Sequence, residues 1–565
     1  MSRSRSGEGV SDVAVLVVIG AVSTVATAVW LWGEIAGAVF GEGWPRVAPG
    51  QMASVLTRLP ARLTDPGGAW PASIRGELPG PGGFLGALAL LVAVLALLAL
   101  LIVRAREAVG GGRTGESARW ARAGELRALR ARPAKRQAGR LVLGRRGRRL
   151  LLAEQRHALV AFGPPQSGKS AGLAIPALLE WDGPAVASSI KTDLLGATLR
   201  RRRQLGSVFV FDPFELAGVP SHTWSPLRQA ASWDGALEVA WRLAAAGELD
   251  RRSMEGGDFW AIAAEQRLAP LLYAAARADA TVETLMRWVY GQGARELDEA
   301  LARAAGEAAD ELQLADAHAA YDAVRAFEAQ ADRTRSSIEA TAQTLLRAYR
   351  FGRVARSARS CEITADALLD ERATLYLIGD AKASKLLRPI FLALLSEVVD
   401  RAYERATLAG GRLELPLLLC LDEAGNVAPL PNLAEIASTA PSHNIQLVSI
   451  FHDLAQARTR YGQQAETVVN SHRARMLLPG VADLETLRYF AGLVGEEEVK
   501  ELTRTTGSGG TTRSTGRRRR PLVAAEGLRQ LPPGQALLLY GRIAPVIVRL
   551  RMWFADRRLR DVGGS

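Results

Sequence analysis

The sequence predicts an α/β protein whose parallel sheet is covered by helices, with an inserted all-α domain and two N-terminal transmembrane helices. Three observations support this prediction. Two uncharged apolar stretches precede the rest of the chain, strand-like runs then alternate with helix-compatible segments, and this alternation stops between residues 229 and 355. Alternation of strands and helices is typical of a parallel sheet. Apolar residues spaced three and four apart, as in the interruption, are typical of helices.

The composition indicates several domains and an anionic partner. At 565 residues the chain is too long for one core, so two or three domains are expected. The chain has 71 Lys and Arg against 58 Asp and Glu, a net charge of +13, which favours nucleic acid or a membrane surface. A GC-rich genome produces the same arginine preference, so the placement of charge is more informative than its total. Cys361 and Cys420 lie far apart and are expected to be reduced and buried.

Two segments have the length and composition of membrane spans. Val13–Trp32 and Phe84–Val103 are each about 20 residues without charge, enough to cross a hydrocarbon core of ~30 Å as a helix. A cleaved signal peptide is the alternative for the first segment. It is disfavoured because the segment ends in Trp30-Leu31-Trp32 rather than small residues, and because a second span follows.

The distribution of arginine predicts the orientation of these spans. Arg3 and Arg5 precede the first span, and a dense arginine run from Arg104 to Arg149 follows the second. The loop between the spans has four arginines and four acidic residues: Arg46, Arg58, Arg62, Arg75, Glu34, Glu42, Asp65 and Glu77. Positive residues stay on the cytoplasmic side, so we expect a multi-pass protein of the inner or plasma membrane with both termini in the cytoplasm. The segment Gly110–Arg149 contacts either lipid headgroups or DNA entering the protein.

A complete phosphate-binding motif follows the first predicted strand. Ala158–Phe162 is an apolar run, helix-compatible sequence resumes at Ser170, and G-x-x-x-x-G-K-S lies between them. The backbone N–H groups of such a loop, together with a helix N-terminus, bind phosphate. Lys169 is expected to reach the β- and γ-phosphates, where it is catalytic, and the Ser170 hydroxyl is expected to ligand Mg²⁺. The predicted ATP-binding residues are Gly163, Pro164, Pro165, Gln166, Ser167, Gly168, Lys169, Ser170 and Ala171.

The next strands end in acidic residues. Pro184–Ile190 and Ser207–Asp212 read as strands with a helix between them, and the α/β pattern returns at Thr374–Ile378. Sites in parallel sheets lie at the carboxyl ends of strands. Asp193 and Asp212 are therefore candidate accessory residues, and the alternative is that each caps a turn.

A second apolar strand predicts the catalytic carboxylates. Leu415–Leu421 ends in Asp422 and Glu423, the pattern of a Walker B motif. In this pattern the Asp holds Mg²⁺ and the Glu orients and polarises the attacking water. Ile445–Phe451 is another strand, and His452 at its end is either a sensor of the γ-phosphate or a structural histidine.

The C-terminal part contains a basic segment and two closing strands. Arg504–Arg520 is rich in Gly, Ser, Thr and Arg and predicts an exposed loop or a long hairpin, which is either a solvated insertion or a DNA-facing element. Ala536–Tyr540 and Pro545–Arg551 read as strands. The predicted domains are a membrane anchor (1–110), the first part of the nucleotide-binding domain (111–228), the all-α domain (229–355) and the second part of the nucleotide-binding domain (356–565).

The order of these motifs resembles a known family. After the two spans the motifs are Gly163–Ser170, Ser189–Leu194, Asp212-Pro213, Trp224–Leu227 and Leu421–Ala424. The chain is similar to type IV secretion coupling proteins of the TraG/TraD family, the ATPases of conjugative DNA transfer. Its arginine-rich composition resembles that of actinobacterial members. The resemblance implies a RecA-like nucleotide domain that uses ATP and Mg²⁺, an all-α domain facing the cytoplasm, and hexamers that link DNA-processing proteins to a secretion channel.

The chain departs from the family at two positions. After the Walker B strand, members often have Arg-Gly-x-Gly-Ile, whose Arg acts across a subunit interface, whereas this chain has Pro441–Ile445 without an Arg. The following strand often ends in Gln, where this chain has His452. Arg473 or Arg475 is the candidate replacement for the missing Arg.

The sequence thus predicts a membrane-anchored ATPase that recruits single-stranded DNA with its relaxase, or another secreted protein, and drives it toward a type IV secretion channel. Three alternatives remain at this point. They are an FtsK-like DNA translocase, a protein-secretion ATPase without DNA contact, and a receptor or scaffold that binds ATP with little turnover.

The predicted topology is testable with reporter fusions. A reporter fused at Glu77 should be extracytoplasmic, and one fused after Arg149 should be cytoplasmic, because the arginine run is retained inside. Enzymatic activity of paired periplasm-specific and cytoplasm-specific reporters measures both positions. A cytoplasmic Glu77 fusion would contradict the two-span topology.

Overall fold

The computed structural model describes residues 8–109, 117–131, 139–155, 157–251, 257–507 and 510–563. Arg3 and Arg5 and parts of the predicted arginine-rich segment (110–116 and 132–138) lie outside this description. The chain forms two compact units, residues 1–115 and 116–565.

The N-terminal unit contains two long apolar helices. Its helices are α1 (Glu8–Phe40), α2 (Met52–Arg58) and α3 (Pro81–Val109). Among the residues described, the stretches Ser23–Phe40 and Pro81–Ile102 are long and apolar enough to cross a membrane. The apolar side chains exposed along α3 include Leu90, Val92, Val94, Leu95, Leu97, Leu98, Leu100, Leu101 and Ile102. An exposed apolar surface of this extent is typical of a helix that faces lipid or another protein.

The segment between the two long helices folds against their ends. Trp70 is fully buried and packs edge-on against Trp32, with ring centroids 6.2 Å apart, and against Phe84 at 5.1 Å. Trp32 Nε1 donates to the Phe84 carbonyl at 2.7 Å. This aromatic cluster joins the connecting segment to α1 and α3, so the predicted loop is a small folded cap.

The C-terminal unit is built on a large mixed sheet. The strands of the chain are β1 (Val142–Arg146), β2 (Arg149–Leu152), β3 (Leu159–Phe162), β4 (Ala185–Ser189), β5 (Val208–Phe211), β6 (Thr374–Ile378), β7 (Leu417–Leu421), β8 (Ile445–Phe451), β9 (Ala474–Leu477), β10 (Glu496–Gly507), β11 (Gly510–Pro521), β12 (Gln535–Tyr540) and β13 (Ile543–Arg549). Within the described residues, eleven of them form one sheet in the order β2-β1-β13-β12-β9-β3-β8-β7-β4-β6-β5. The strands from β9 to β5 in this order run parallel, and β12, β13, β1 and β2 extend one edge in antiparallel fashion.

The predicted strands agree with this sheet to within a few residues. β6 and β8 have the predicted bounds, and the ends of β3, β4, β5, β7, β12 and β13 lie within two residues of the prediction, whereas β1, β2 and β9 were not predicted. β3, β4, β6, β7 and β8 are buried at every position. Continuous apolar runs buried on both faces are typical of the central strands of a parallel sheet.

A helical insertion separates β5 from β6. The remaining helices are α4 (Ile175–Glu180), α5 (Asp193–Leu205), α6 (Trp233–Arg251), α7 (Gly257–Arg277), α8 (Val282–Val289), α9 (Ala294–Gly306), α10 (Glu311–Glu328), α11 (Asp332–Leu346), α12 (Gly352–Arg356), α13 (Ala365–Asp370), α14 (Ala381–Leu408), α15 (Leu433–Thr439), α16 (Leu454–Tyr461), α17 (Ala465–Ser471), α18 (Leu484–Val494), α19 (Ala525–Arg529) and α20 (Arg557–Val562). Helices α6 to α12 occupy the region predicted to be all-α. They share one apolar core with the sheet, and Arg242 on α6 donates to Asp400 on α14 at 3.0 Å. The insertion therefore belongs to the same compact unit as the sheet.

Both cysteines are free thiols. Cys420 on β7 is fully buried, and burial raises the pKa of its thiol far above the ordinary value. Cys361 is only partly buried, contrary to the expectation that both would be buried. It lies in the connection between α12 and α13 rather than in a strand or helix.

The basic segment forms a hairpin rather than a loop. β10 and β11 pair antiparallel without interruption from Glu496↔Pro521 to Gly507↔Gly510. The hairpin begins eight residues before the predicted Arg504 boundary. Of the two predicted structures, the long hairpin is the one observed.

His472 links the end of α17 to β8 and makes folding sensitive to pH. Its Nδ1–H donates to the Val468 carbonyl at 2.7 Å, and the Ser449 hydroxyl donates to Nε2 at 3.0 Å. Burial lowers the pKa of His472 to about 4, so the folded protein keeps this ring neutral. In the unfolded chain the pKa of this histidine is about 6.5, so the ring binds a proton below that pH. The stability of the folded protein therefore falls as the pH drops from about 6.5 to about 4.

Protonation of His472 in the unfolded chain lowers the free energy of unfolding by up to ~3 kcal/mol. This value is the difference between the two pKa values multiplied by ~1.4 kcal/mol per pH unit. His472→Gln should flatten the dependence of the Tm on pH in that window. The exposed His318→Gln is the matched control and should leave the pH profile unchanged. An identical pH profile for parent and His472→Gln in thermal unfolding would show that His472 does not titrate as described.

Candidate nucleotide-binding site

The phosphate loop leaves the central strand β3 at the carboxyl edge of the sheet. β3 lies between the parallel strands β8 and β9, and Gly163 N donates to the Phe451 carbonyl at 3.0 Å. A Cβ at Gly163 would lie 2.4 Å from Ser167 Oγ. Gly168 has a φ of +91°, which residues with a Cβ rarely adopt. The backbone of this turn thus explains both glycines of the motif.

Lys169 lies inside a ring of hydrogen bonds. It is 6% exposed, and its Nζ lies 2.9 Å from His452 Nδ1 and 3.3 Å from Glu423 Oε1. An ammonium group only donates, so Nδ1 accepts and the ring proton resides on Nε2. This Nε2 donates to Glu423 Oε2 at 3.0 Å. The structure therefore brings together three of the predicted site residues, and each contacts the other two.

The backbone presents Glu423 at the start of the turn after β7. Its φ is +66°, in the left-handed region, which costs a non-glycine residue on the order of 1 kcal/mol or more. Ala424 N donates to the Ile450 carbonyl at 2.9 Å, and Asn426 Nδ2 donates to Glu423 Oε2 at 2.7 Å. These bonds hold the turn in its strained conformation.

The surroundings of Glu423 keep it ionised. Burial raises the pKa of its carboxyl, but the hydrogen bond from His452 and the charge of Lys169 outweigh burial and lower the pKa to about 2. Glu423 is consequently a carboxylate at neutral pH.

Asp422 has the features of a metal ligand. Its Oδ2 accepts from Ser170 Oγ at 2.5 Å, and its buried Oδ1 has no hydrogen-bond partner among the described residues. Burial raises the pKa of this carboxyl to about 6, and the bond from Ser170 opposes the rise. Mg²⁺ binds through one or two protein oxygens and completes its shell with water and phosphate oxygens. An unpartnered carboxylate oxygen beside a serine hydroxyl fits this ion, so Ser170 and Asp422 are the residues that would hold it.

These residues face a cleft of about 850 Å³. Its floor is the phosphate loop from Pro165 to Ala171, and its sides include Ser189 to Lys191, Asp193 and His452. Gly163 and Pro164 of the predicted set form the base of the loop and do not line the cleft. The helix that follows starts with a π-helical turn, Ser170–Ala174, which continues into α4.

The cleft has a wall that the sequence analysis missed. Residues 549–556, here called the C-terminal wall, begin at the last residue of β13, and all of them except Trp553 line the cleft. Met552 lies over Gly168, since a Cβ at Gly168 would lie 2.6 Å from Met552 Cε. Trp553 N donates to the Ala171 carbonyl at 3.0 Å. The sequence placed a strand up to Arg551, whereas β13 ends at Arg549, and the mix of Arg, Met and aromatic residues after it was the available signal.

A buried arginine fixes this wall to the helix that begins at the phosphate loop. Arg551 is 5% exposed, and its Nη1 donates to both carboxylate oxygens of Glu180 on α4 at 2.8 Å. Its Nε donates to Asp556 Oδ2 at 2.9 Å, and Arg145 on β1 donates to the same oxygen. Movement of the wall is thus coupled to the helix that carries Ser170.

The two accessory aspartates lie in different places. Asp193 is the first residue of α5, lines the cleft, and its charge contributes to the raised pKa of Asp422. Asp212 follows the edge strand β5 and does not line the cleft. Its Oδ2 accepts from Ala217 N at 2.7 Å, and burial raises the pKa of this carboxyl. Asp212 therefore holds the loop after β5 within this chain.

Arg473 and Arg475, the candidate replacements for the missing arginine, lie at the amino end of β9. The phosphate loop lies at the carboxyl end of β3. These strands are parallel, with Leu159 opposite Ala474 and Phe162 opposite Leu477. Arg475 donates to the carbonyls of Val469 and Asn470 at the end of α17. Arg473 lies 3.6 Å from Glu154 and over the Tyr540 ring. The structure does not bring either arginine to the cleft of its own chain.

The fold and the cleft define a P-loop nucleotide-binding protein. Comparison with known proteins then identifies the family. Residues 119–565 match the family described as type IV secretory system conjugative DNA transfer, and the chain belongs to that family. The resemblance inferred from the motifs is thereby confirmed.

Two curated relatives are conjugal transfer proteins TraG from Escherichia coli. Each is 24% identical to this chain, over 401 and 403 residues. The aligned region covers 66% of this chain and 61% and 62% of the two relatives. The chain therefore spans about three fifths of the length of the curated relatives it matches.

Solved structures of the conjugative coupling protein TrwB have the same fold. The unbound form matches 78% of this chain and 95% of its own, with a TM-score of 0.56 and 17% identity. The form in complex with ADP and Mg²⁺ matches 78% of this chain and 94% of its own, also with a TM-score of 0.56. These likenesses confirm the predicted RecA-like nucleotide-binding fold.

The phosphate loop predicts a specific loss of nucleotide affinity. Lys169→Ala should weaken ATP binding by roughly 10- to 100-fold, the scale of one or two charge-assisted hydrogen bonds. Lys191→Ala is the matched control, because Lys191 is exposed at the side of the same cleft. It should change the affinity by less than about threefold, since loss of an exposed charge has a small effect. Equal losses for the two variants in calorimetric titration would contradict the placement of phosphate at Lys169.

Proposed function

We propose that this protein is a membrane-anchored ATPase that couples DNA or nucleoprotein substrates to a type IV secretion channel and powers their transfer. The observation that carries the proposal is the contact of Lys169 with Glu423 and His452 at the floor of the cleft. Its partners are single-stranded DNA with a relaxase or another secreted protein, the components of the channel, the membrane, and further copies of the chain in a hexamer. Family membership supports the DNA substrate.

Different residues of the site bind the nucleotide and promote its hydrolysis. Lys169 and the loop N–H groups bind the β- and γ-phosphates, and Ser170 and Asp422 hold Mg²⁺, which neutralises the developing charge on the phosphates. Glu423 faces the same space as a carboxylate. Its low pKa makes it a weak base while Lys169 and His452 surround it. When Lys169 turns toward phosphate, Glu423 loses the neighbouring positive charge that lowers its pKa, and its ability to accept a proton from water increases.

The two apolar helices of the N-terminal unit support the membrane anchor. Both have the length to cross a bilayer, and α3 exposes apolar side chains over several turns. We propose that they place the protein in the inner or plasma membrane with both termini in the cytoplasm. The nucleotide site then lies in the cytoplasm, where ATP is available.

A binding scaffold with little turnover is the second candidate. Two observations favour it: the stretch before β8 is a short turn, Ala440–His443, without an arginine, and His452 occupies the position where the family often has Gln. In addition, Arg475 is engaged with α17 in this chain. Hydrolysis measurements on active-site variants separate the scaffold from the ATPase.

Glu423→Gln tests the catalytic assignment. The variant should retain ATP affinity and lose turnover by roughly 10²-fold or more, the scale of general-base effects. The exposed Glu435→Gln is the matched control and should hydrolyse ATP at the rate of the parent. Steady-state hydrolysis and equilibrium binding, measured on the same preparations, give the two quantities. A parent without hydrolysis above background, unchanged by Glu423→Gln, would favour the scaffold.

His452→Gln tests the proposed sensor. The change restores the side chain frequent in the family and should leave ATP binding intact while preserving or raising the hydrolysis rate. Loss of ATP binding in this variant would instead assign His452 a structural role in supporting Lys169.

A further inference from the structure

The hairpin β10–β11 is a two-stranded ribbon whose charges differ between its faces. Each strand has 12 residues, which at ~3.4 Å per residue gives a length of roughly 40 Å. The arginines near its base are solvent-exposed; Arg517 and Arg518 have side chains 73% and 74% exposed. Because successive residues of a strand alternate between faces, the continuous register assigns every position to one of two faces.

One face is electrically balanced. Its register positions include Glu497, Glu501, Arg518 and Arg520, two acidic and two basic residues. Arg520 pairs with Glu497 at 2.8 Å, and Arg518 lies 3.8 Å from Glu501. The basic residues of this face are thus neutralised within the hairpin.

The other face, here called the basic face, has an excess of positive charge. Its register positions contain five basic and two acidic residues: Lys500, Arg504, Arg513, Arg517, Arg519, Glu496 and Glu498. Both acidic residues lie at the base of the hairpin, where Arg517 is 3.5 Å from Glu498. From Lys500 outward, the described positions of this face carry no acidic residue.

Like charges lie directly opposite each other on the basic face. Lys500 is the cross-strand partner of Arg517, and Arg504 is the partner of Arg513. Directly opposed like charges destabilise a strand pair. A bound polyanion removes this repulsion, so the arrangement favours an anionic partner that lies along the ribbon.

We propose that the basic face binds the sugar–phosphate backbone of single-stranded DNA. The inference rests on the proposed function for the DNA partner and adds where one contact surface lies. The basic positions are interspersed with Thr506, Thr511 and Thr515, whose hydroxyl groups are suited to phosphate oxygens. The hairpin contains no aromatic residue for stacking on bases, and Val499 and Leu502 are its large apolar residues. The contact is therefore independent of base sequence and does not insert into a bilayer.

Two double variants with equal changes of charge test the proposal. Arg504→Gln/Arg513→Gln alters the basic face, and Arg518→Gln/Arg520→Gln alters the balanced face of the same hairpin. For the full-length protein in detergent, affinity for oligodeoxythymidine is measured as a function of salt. Loss of two phosphate contacts should reduce the log–log slope by ~1.4 for Arg504→Gln/Arg513→Gln. The slope of Arg518→Gln/Arg520→Gln should stay at the parent value, and unfolding temperatures should match across the three proteins.

The outcomes separate this inference from the proposed function. If the parent binds DNA with a steep salt dependence and the two double variants have equal slopes, the basic face is not the contact surface, although the DNA partner stands. If Arg504→Gln/Arg513→Gln loses binding to vesicles of anionic lipid and keeps the parent slope for DNA, the face binds lipid and the inference is wrong. If the parent binds no DNA at low salt, both the inference and the DNA partner in the proposed function fail.

Discussion

The contact of one buried ammonium group with two partners governs the chemistry of this site. Lys169 is 6% exposed, and a charge in such a place is stable only if it is paired. Glu423 and His452 provide that pairing. Phosphate oxygens can replace them as acceptors, and Glu423 then loses part of what holds its pKa near 2. In the proposed mechanism, nucleotide binding and the reactivity of the carboxylate are therefore linked through the same lysine.

The order of the parallel strands makes this contact possible. The strands β3, β8 and β7 are neighbours, so their carboxyl ends place Lys169, His452 and Glu423 at one edge of the sheet. Lys169 and Glu423 meet there although they are 254 positions apart in the sequence. The helical insertion joins the edge strand β5 to its neighbour β6 and packs on α14. The antiparallel strands on the opposite side carry the C-terminal wall to the cleft, where Arg551 binds it to α4. The wall is therefore tied to the phosphate loop and to the helix that follows it.

The features that could be predicted from the sequence are those whose residues are close together in the chain. The phosphate loop and the Asp422-Glu423 pair follow apolar strands directly, so residue spacing alone located them. Asp212 met the same criterion, yet it holds a loop, because the position of β5 at the edge of the sheet is not encoded in any local pattern. The C-terminal wall and the pairing of Arg520 with Glu497 were missed for the same reason. Both depend on strand register, which is established only when distant segments meet.

The proposed function requires that nucleotide turnover in this cleft is coupled to DNA. The most direct measurement is the steady-state ATP hydrolysis rate of the full-length protein, with and without saturating single-stranded DNA, at a salt concentration where binding is established. We expect DNA to raise kcat several-fold, because translocation of the strand consumes the ATP. An unchanged kcat with DNA bound would show that hydrolysis is not coupled to DNA and would favour a nucleotide-binding receptor.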